Sequence, residues 1–305
     1  MNTFTIDKPD DRFAWLEARH GHFNASSAAV LYDRHPFQTA ADYAVEKLGA
    51  VSDEPATDPM NRGRHLEAGI ADWFGETMGW TLIESPVLHG YGPLLATVDR
   101  FVAQTGSPVE IKTVSYYTSE PLPYWLDQCQ AILACTDTDT LYLVWMDASM
   151  TLQWCEVDRD EAHIADMVDR AERFMAAIEL GMMPDWITPE SQHIAALHPD
   201  PVGEVELDDD TVALLRDFAD HRDAVKYHEA EMKAIKDRVA NVLGEHEAGV
   251  RDGQTVVSWS KVKGRSSFDQ AAFKADHPEM VGKYTRVGSP SRRFMVNIAT
   301  GGEEE

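Results

Sequence analysis

The segment from Asp99 to Lys112 limits most tightly what this chain can become. Phe101-Val-Ala103 and Val109-Glu-Ile-Lys-Thr113 have strand composition, and Gln104-Thr-Gly-Ser107 between them has turn chemistry. The pattern predicts a hairpin with Asp99 and Glu110 on adjacent strands. Side chains alternate along a strand, so Glu110 and Lys112 share one face while Val109 and Ile111 point into a core. A lone carboxylate and lysine on one strand face usually mark a solvated edge, and Glu-x-Lys recurs by chance. Only its surroundings can raise it.

Upstream, Arg12–Arg19 reads as a short helix broken at His20-Gly21-His22. Asn24-Ala-Ser-Ser opens a second helix, 28–32, with serines at the cap. A helix N-terminus with hydroxyls can take a phosphate, but an ordinary cap is the simpler local reading. His20, His22 and His35 read as loop or surface residues. Thr39 caps a third helix, 40–48, which Gly49 ends. Residues 51–57 read as a polar loop. Asp58-Pro59 starts a long helix to about Met78, with Leu66, Ile70, Trp73, Phe74 and Met78 on its apolar face. Glu67 lies at the edge of that face. A carboxylate there needs a partner, a metal or water, because burying it alone costs several kcal/mol.

Strands are predicted at 80–84, 87–88, 94–98, 101–103 and 109–113, then a helix at 123–135 with Gln128 beside its buried side. Two more strands, 141–146 and 151–157, precede a long amphipathic helix from Asp158 to Leu180. Four prolines between Pro184 and Pro201 mark a linker. Asp208–Gly244 reads as one long helix, either a packed hairpin partner or a short coiled coil. Residues 255–261 and 292–298 read as a paired β element. Lys261, Lys263 and Arg265 between them are a solvated loop or a contact for a nucleic-acid backbone. The tail 303–305 reads as disordered.

The 305 residues suffice for one large or two modest cores. No apolar run spans a bilayer, and residues 1–11 carry no signal-peptide segment, so a cytoplasmic protein is expected. Three cysteines without CxxC spacing (129, 135 and 155) argue against a disulfide framework, a zinc site or a four-cysteine cluster. The net charge of −25 argues against broad, non-specific phosphate neutralisation. It leaves room for a local site where cations reverse the sign.

Glu67, Asp99, Glu110-x-Lys112 and Gln128 therefore follow one another on helix, strand, strand and helix. Hard oxygen ligands suit Mg²⁺, with Mn²⁺ as a substitute, and phosphodiester hydrolysis uses such ions. A lysine beside the cations can orient the attacking water and help deprotonate it, since neighbouring metals depress its pKa.

Together these residues resemble the PD-(D/E)xK nucleases, and within them the YqaJ-type viral recombinases and the phage lambda exonuclease. The resemblance covers residues 12 to 186. It runs through Trp15-x3-Arg19-x3-Phe23-x2-Ser26, Arg62-Gly-Arg-His-Leu-Glu67, Glu84-Ser-Pro86, Val98-Asp99, Val109-Glu-Ile-Lys112 and Tyr124-x3-Gln128-Cys-Gln130. This chain has Val98 where the family has proline, Arg100 where glycine is frequent, and Asn24-Ala-Ser-Ser27 where Gly-Gly-Ser-Asp is usual.

The resemblance implies an α/β (α+β) restriction-endonuclease-like core, residues 1–190, with a central mixed sheet flanked by helices. A Pro-rich linker, 191–205, and a C-terminal long-helix and β-hairpin appendage, 206–305, follow. It implies that Asp99 and Glu110 ligate metal with the Ile111 carbonyl, supported by Glu67. Lys112 activates the nucleophile and Gln128 orients it, and Arg19 and Ser26 hold a 5′ phosphate. The implied activity is Mg²⁺-dependent 5′→3′ digestion of linear double-stranded DNA, used in phage-type recombination with a single-strand annealing partner. A homo-oligomer, trimeric by analogy, goes with it. The alternatives are a structure-specific or Cas4-like endonuclease, and an inactive DNA-binding adaptor on the same fold.

Overall fold

The strand from Thr140 to Met146 is buried on both faces, and its alternation divides the interior in two. Leu141, Leu143 and Trp145 enter one apolar cluster, and Tyr142, Val144 and Met146 enter the other. A computed structural model describes residues 2–49, 56–200, 202–286 and 292–298. The chain divides into two compact units, Met1–Pro199 and Asp200–Glu305.

The first unit runs β1 (Thr3–Asp7), α1 (Arg12–His20), β2 (Phe23–Asn24), a 3-10 helix (Ala25–Tyr32), α2 (Ala40–Leu48), α3 (Asp58–Met78), β3 (Leu82–Ile83), β4 (Val87–Tyr91), β5 (Leu94–Ala96), β6 (Arg100–Val102), β7 (Pro108–Thr113), α4 (Pro123–Thr136), β8 (Thr140–Met146), β9 (Leu152–Asp158), α5 (Glu161–Glu179) and α6 (Ser191–Leu197). Two mixed sheets form, with orders β1-β4-β5-β2 and β3-β6-β7-β8-β9. In the second, β7 and β8 are parallel and the other neighbours antiparallel. The predicted α/β class, a mixed sheet flanked by helices, is present.

Helices cover both faces of the five-stranded sheet. Ile70 and Phe74 of α3 pack on Val109 and Ile111, while Trp125, Cys129, Ile132 and Leu133 of α4 pack with Leu141, Leu143 and Trp145. Each fully buried large side chain contributes roughly 1.5–3 kcal/mol. The start of α3 carries proline in its first turn, and its end is set by Gly79 in the left-handed region, φ 69°. Trp73, predicted on the apolar face of α3, is instead 44% exposed.

Several expectations change. Residues 3–7 form β1 against β4, a strand that the sequence reading passed over although Thr-Phe-Thr-Ile alternates. The serines expected as a cap lie inside the 3-10 helix, and Asn24 occupies the cap. The segment 191–205, expected as linker, begins with helix α6. His193 is buried there, its Nδ1 accepting from the Glu190 N–H and its Nε2 2.9 Å from the Asp42 carboxylate on α2. The accepting Nδ1 leaves the proton on Nε2, so His193 donates to Asp42.

The second unit contains α7 (Asp209–Leu243), β10 (Ala248–Arg251), β11 (Gln254–Ser258), α8 (Gln270–Asp276) and α9 (Pro278–Tyr284). The predicted pairing of 255–261 with 292–298 is not formed. Gln254–Ser258 pairs with Ala248–Arg251, and 292–298 is not a strand. Asp252 and Gly253 both have positive φ, 54° and 78°, as a two-residue hairpin turn requires. That nearer, preformed turn wins over a partner some forty residues away. The predicted tail 303–305 and most of the predicted loop 51–57 lie outside the described residues. Among the described residues no helix is long and apolar enough to cross a membrane.

Candidate functional site

Strand alternation sends Glu110 and Lys112 to the α4 face of β7, opposite Leu143 and Trp145 in the register. There they meet, with Lys112 Nζ 2.7 Å from Glu110 Oε1. Gln128 on α4 completes a triangle. Its Nε2 donates to Glu110 Oε1 at 2.7 Å, and its Oε1 accepts from Lys112 Nζ at 2.7 Å. Glu110 is 3% exposed, yet its second oxygen, Oε2, is buried without a hydrogen-bond partner. A bare carboxylate oxygen in that position is costly unless something positive meets it.

Asp99 arrives from the neighbouring strand, as the hairpin reading expected. Arg100 pairs with Val109 in the β6–β7 ladder, and the Ile111 N–H donates to Asp99 Oδ2 at 2.8 Å. Burial, then the negative charges of Glu110 and Glu67, raise the Asp99 pKa well above the usual carboxylate range. Lys112 and the Ile111 N–H oppose them. For Lys112, burial favours the neutral amine, but the charges of Glu110 and Asp99 outweigh it and raise the pKa. Lys112 is an ammonium in this arrangement, whereas the sequence reading looked to metals to depress it.

Glu67 reaches the same region from α3 but is held by Arg100, whose Nη1 lies 2.8 Å from Glu67 Oε1. Arg100 Nη2 is 3.5 Å from Glu84. The family frequently has glycine at this position, so this guanidinium is a feature of this chain that motif matching treated only as a departure.

The donor set fits a divalent cation. The unpartnered Glu110 Oε2 and the carboxylate of Asp99, with its raised proton affinity, mark an excess of negative charge that no side chain neutralises. Carboxylates and a carbonyl are the oxygen donors such ions prefer. Among the described residues no three His, Cys, Asp or Glu side chains converge on one point. The set therefore consists of two carboxylates and the Ile111 backbone, with Glu67 diverted to Arg100.

Arg19 and Ser26 form a second grouping. Arg19, in the last turn of α1, donates through Nη2 to Ser26 Oγ at 3.1 Å and through Nη1 to Thr97 Oγ1 at 3.3 Å. Its guanidinium stacks 4.5 Å from the Trp15 ring. Burial lowers its pKa, but an arginine keeps its charge. Beneath it lies Lys47 of α2, which sequence reasoning left unremarked. Lys47 is 3% exposed, and its Nζ donates to the carbonyls of Arg19 (2.7 Å), His20 (3.2 Å) and His22 (2.7 Å). These are carbonyls at the end of α1 that the helix itself leaves unpaired. Three acceptors match the three N–H bonds of an ammonium, while burial pulls its pKa down to about 7. Lys47 fixes the backbone that presents Arg19.

His35, read as a loop residue, lies 6.1 Å from the Tyr124 ring, and its pKa falls through burial and then the Lys112 charge. It therefore stands close to the Glu110–Lys112–Gln128 triangle. Cys129 and Cys135 are buried and Cys155 half-buried, all as free thiols.

Residues 14–139 match the model of the YqaJ-like viral recombinase domain. That span contains Arg19, Ser26, Glu67, Asp99, Glu110, Lys112 and Gln128. No curated protein matched the sequence. Among solved structures, the alkaline exonuclease LHK-Exo from Laribacter hongkongensis is 23% identical. The match covers 55% of this chain and 92% of that one, with a TM-score of 0.47. Its complex with dAMP matches at the same identity and coverage with a TM-score of 0.48. A phage related exonuclease from Haemophilus somnus 129PT is 13% identical over 54% of this chain and 97% of that one, TM-score 0.42. By its domain match, this chain carries a YqaJ-like viral recombinase domain over residues 14–139.

Proposed function

We propose that this protein is a divalent-metal-dependent deoxyribonuclease that digests linear double-stranded DNA from the 5′ end, with Mg²⁺ as its ion and Mn²⁺ as a substitute. The observation that carries the reading is the buried, unpartnered Oε2 of Glu110 beside Asp99, on a carboxylate whose other oxygen is held by Lys112 and Gln128. Asp99, Glu110 and the Ile111 carbonyl hold the ion, with Glu67 at the margin. Bound there, it polarises the scissile phosphate and lowers the pKa of a water.

The chain's own groups do the rest. Gln128 fixes Glu110 Oε1 and Lys112 Nζ relative to each other, so neither needs to reorganise when substrate arrives. Lys112 presents its ammonium N–H bonds to the water and to the phosphate oxygen on which charge develops. Arg19 and Ser26 hold the 5′-terminal phosphate, since a guanidinium with a hydroxyl beside it suits that group. Residues 1–190 form the catalytic part in this reading. Phage-type recombination with a single-strand annealing partner, in the cytoplasm and as a homo-oligomer, is the setting such an activity serves.

One experiment tests the core of this. Linear duplex with and without a 5′ phosphate, and a covalently closed circle, are incubated with the protein in Mg²⁺ and in chelator. The expected result is Mg²⁺-dependent loss of the linear DNA, faster with the 5′ phosphate, and an intact circle. Loss of the circle makes it an endonuclease, and activity in chelator removes the metal from the mechanism.

A further inference from the structure

We propose that helix α7 pairs with α7 of a second copy of this chain as a parallel, in-register coiled coil. The helix has 35 residues, and every residue from Ala224 to Val239 is exposed. A helix bare on all sides has no packing to support it, and propensity alone rarely suffices in water.

Its apolar residues are not scattered. Phe218, Val225, Met232 and Val239 are seven residues apart. Leu214, Ile235 and Val242 fall three residues later in the repeat, with His221 and His228 filling the two places between. Alternating steps of three and four over four heptads give a period of 3.5, which keeps one seam facing a partner helix as the two supercoil. The seam is open, with Met232 63%, Ile235 55% and Val242 83% exposed. Towards its start Phe218 meets Phe294 from segment 292–298, 5.7 Å between ring centres, and remains 47% exposed.

The flanking charges identify the occupant. In a parallel pair, each residue just before a seven-residue repeat faces the residue five further along on the other helix. That rule sets Asp217 against Arg222 and Glu231 against Lys236 of the second copy, both attractive. Ala224 meets Glu229, and Arg238 meets Leu243, so no like charges are opposed. In a chain of net charge −25, a seam whose edges complement themselves points to self-pairing. Valine at two core positions favours two strands, and the two histidine layers penalise shifted registers.

The test is sedimentation of the full chain over a concentration series. The wild type is expected to assemble. Met232→Glu with Ile235→Glu, both at exposed positions, should weaken assembly by at least about tenfold while the helical circular dichroism of the first unit's fold is kept. Glu231→Lys should weaken it, and Glu231→Lys with Lys236→Glu should restore it. Ile235→Cys should give an intermolecular disulfide on mild oxidation, and Lys233→Cys should not. A wild type that stays monomeric overturns the proposal. So does an assembly indifferent to these substitutions, or a charge swap without rescue. Absence of the Ile235→Cys disulfide overturns the parallel register.

Discussion

Arg100 crosses from strand β6 to helix α3 and binds Glu67, Nη1 to Oε1, at 2.8 Å. The guanidinium is largely buried, while Glu67 is about one-third exposed. The pair draws Glu67 away from Asp99 and Glu110 and places a positive charge next to a cluster of negative ones.

Replacing Arg100 should therefore have two opposite effects. Arg100→Ala should cost about 1–3 kcal/mol of stability, because acidic groups lose their counter-charge. It should also tighten cation binding, because Glu67 becomes available. Urea unfolding gives the first quantity and Mn²⁺ titration calorimetry the second. Weaker Mn²⁺ binding in the variant would show that Arg100 supports the site.

Lys112 and Glu110 should be coupled in stability as well as in activity. Lys112→Met leaves a buried carboxylate unpaired and should destabilise the fold by roughly 3–5 kcal/mol. Adding Glu110→Gln removes the orphaned charge and should recover most of that loss. Both variants should lack nuclease activity. A double-mutant cycle measured by denaturant melts checks the coupling, and simple additivity would contradict it.

Gln128 separates geometry from charge. Gln128→Leu should leave the fold near wild-type stability but lower cleavage on the order of 10²–10³-fold, since two fixed hydrogen bonds disappear. Gln128→Glu should do worse on stability, because a third carboxylate enters the cluster. Single-turnover rates at saturating Mg²⁺, beside thermal melts, distinguish the two.

Lys47 gives a pH signature. Its pKa falls from the usual lysine value to about 7 on folding. Between pH 7 and about 10.5 the unfolded chain still binds a proton that the folded chain has released, so this group makes stability rise with pH across that window. Below pH 7 both states are protonated, and the burial penalty is constant. The stability difference between wild type and Lys47→Met should therefore shift in favour of wild type as pH rises from 7 to 10. A flat difference would show that the three carbonyls fully offset burial.

The 5′-phosphate preference should reside in Arg19. Arg19→Lys keeps the charge but loses the two-pronged reach to Ser26 and Thr97, so it should lose most of the preference for phosphorylated ends. Turnover on 5′-hydroxyl ends should change little. Competition between the two ends in one tube reads this ratio directly.

How much of this was legible depended on the range of each interaction. The meeting of Glu110 with Lys112 followed from strand alternation, and the approach of Asp99 followed from four turn residues. Both are local. The partnership with Gln128, sixteen residues beyond Lys112, was legible only through family resemblance. The Arg100–Glu67 pair joins residues 33 positions apart on two elements, and nothing in either local pattern calls for it. Lys47 looked like an ordinary lysine in the last turn of an amphipathic helix, and its role depends on where α1 ends in space. The hairpin at 248–258 was missed for a different reason, since Asp252-Gly253 was a readable turn signal that the sequence reading did not weigh.

Thr97, which accepts from Arg19, and Asp99, which faces the catalytic lysine, are separated by one residue. Their Cα atoms can be no more than about 7 Å apart whatever the loop does. In the proposed reading the anchor for the strand terminus and the cutting point are parts of one short, inextensible ruler. The length of each bite is then set by covalent geometry, and only an insertion or deletion between Thr97 and Asp99 would alter the enzyme's stride.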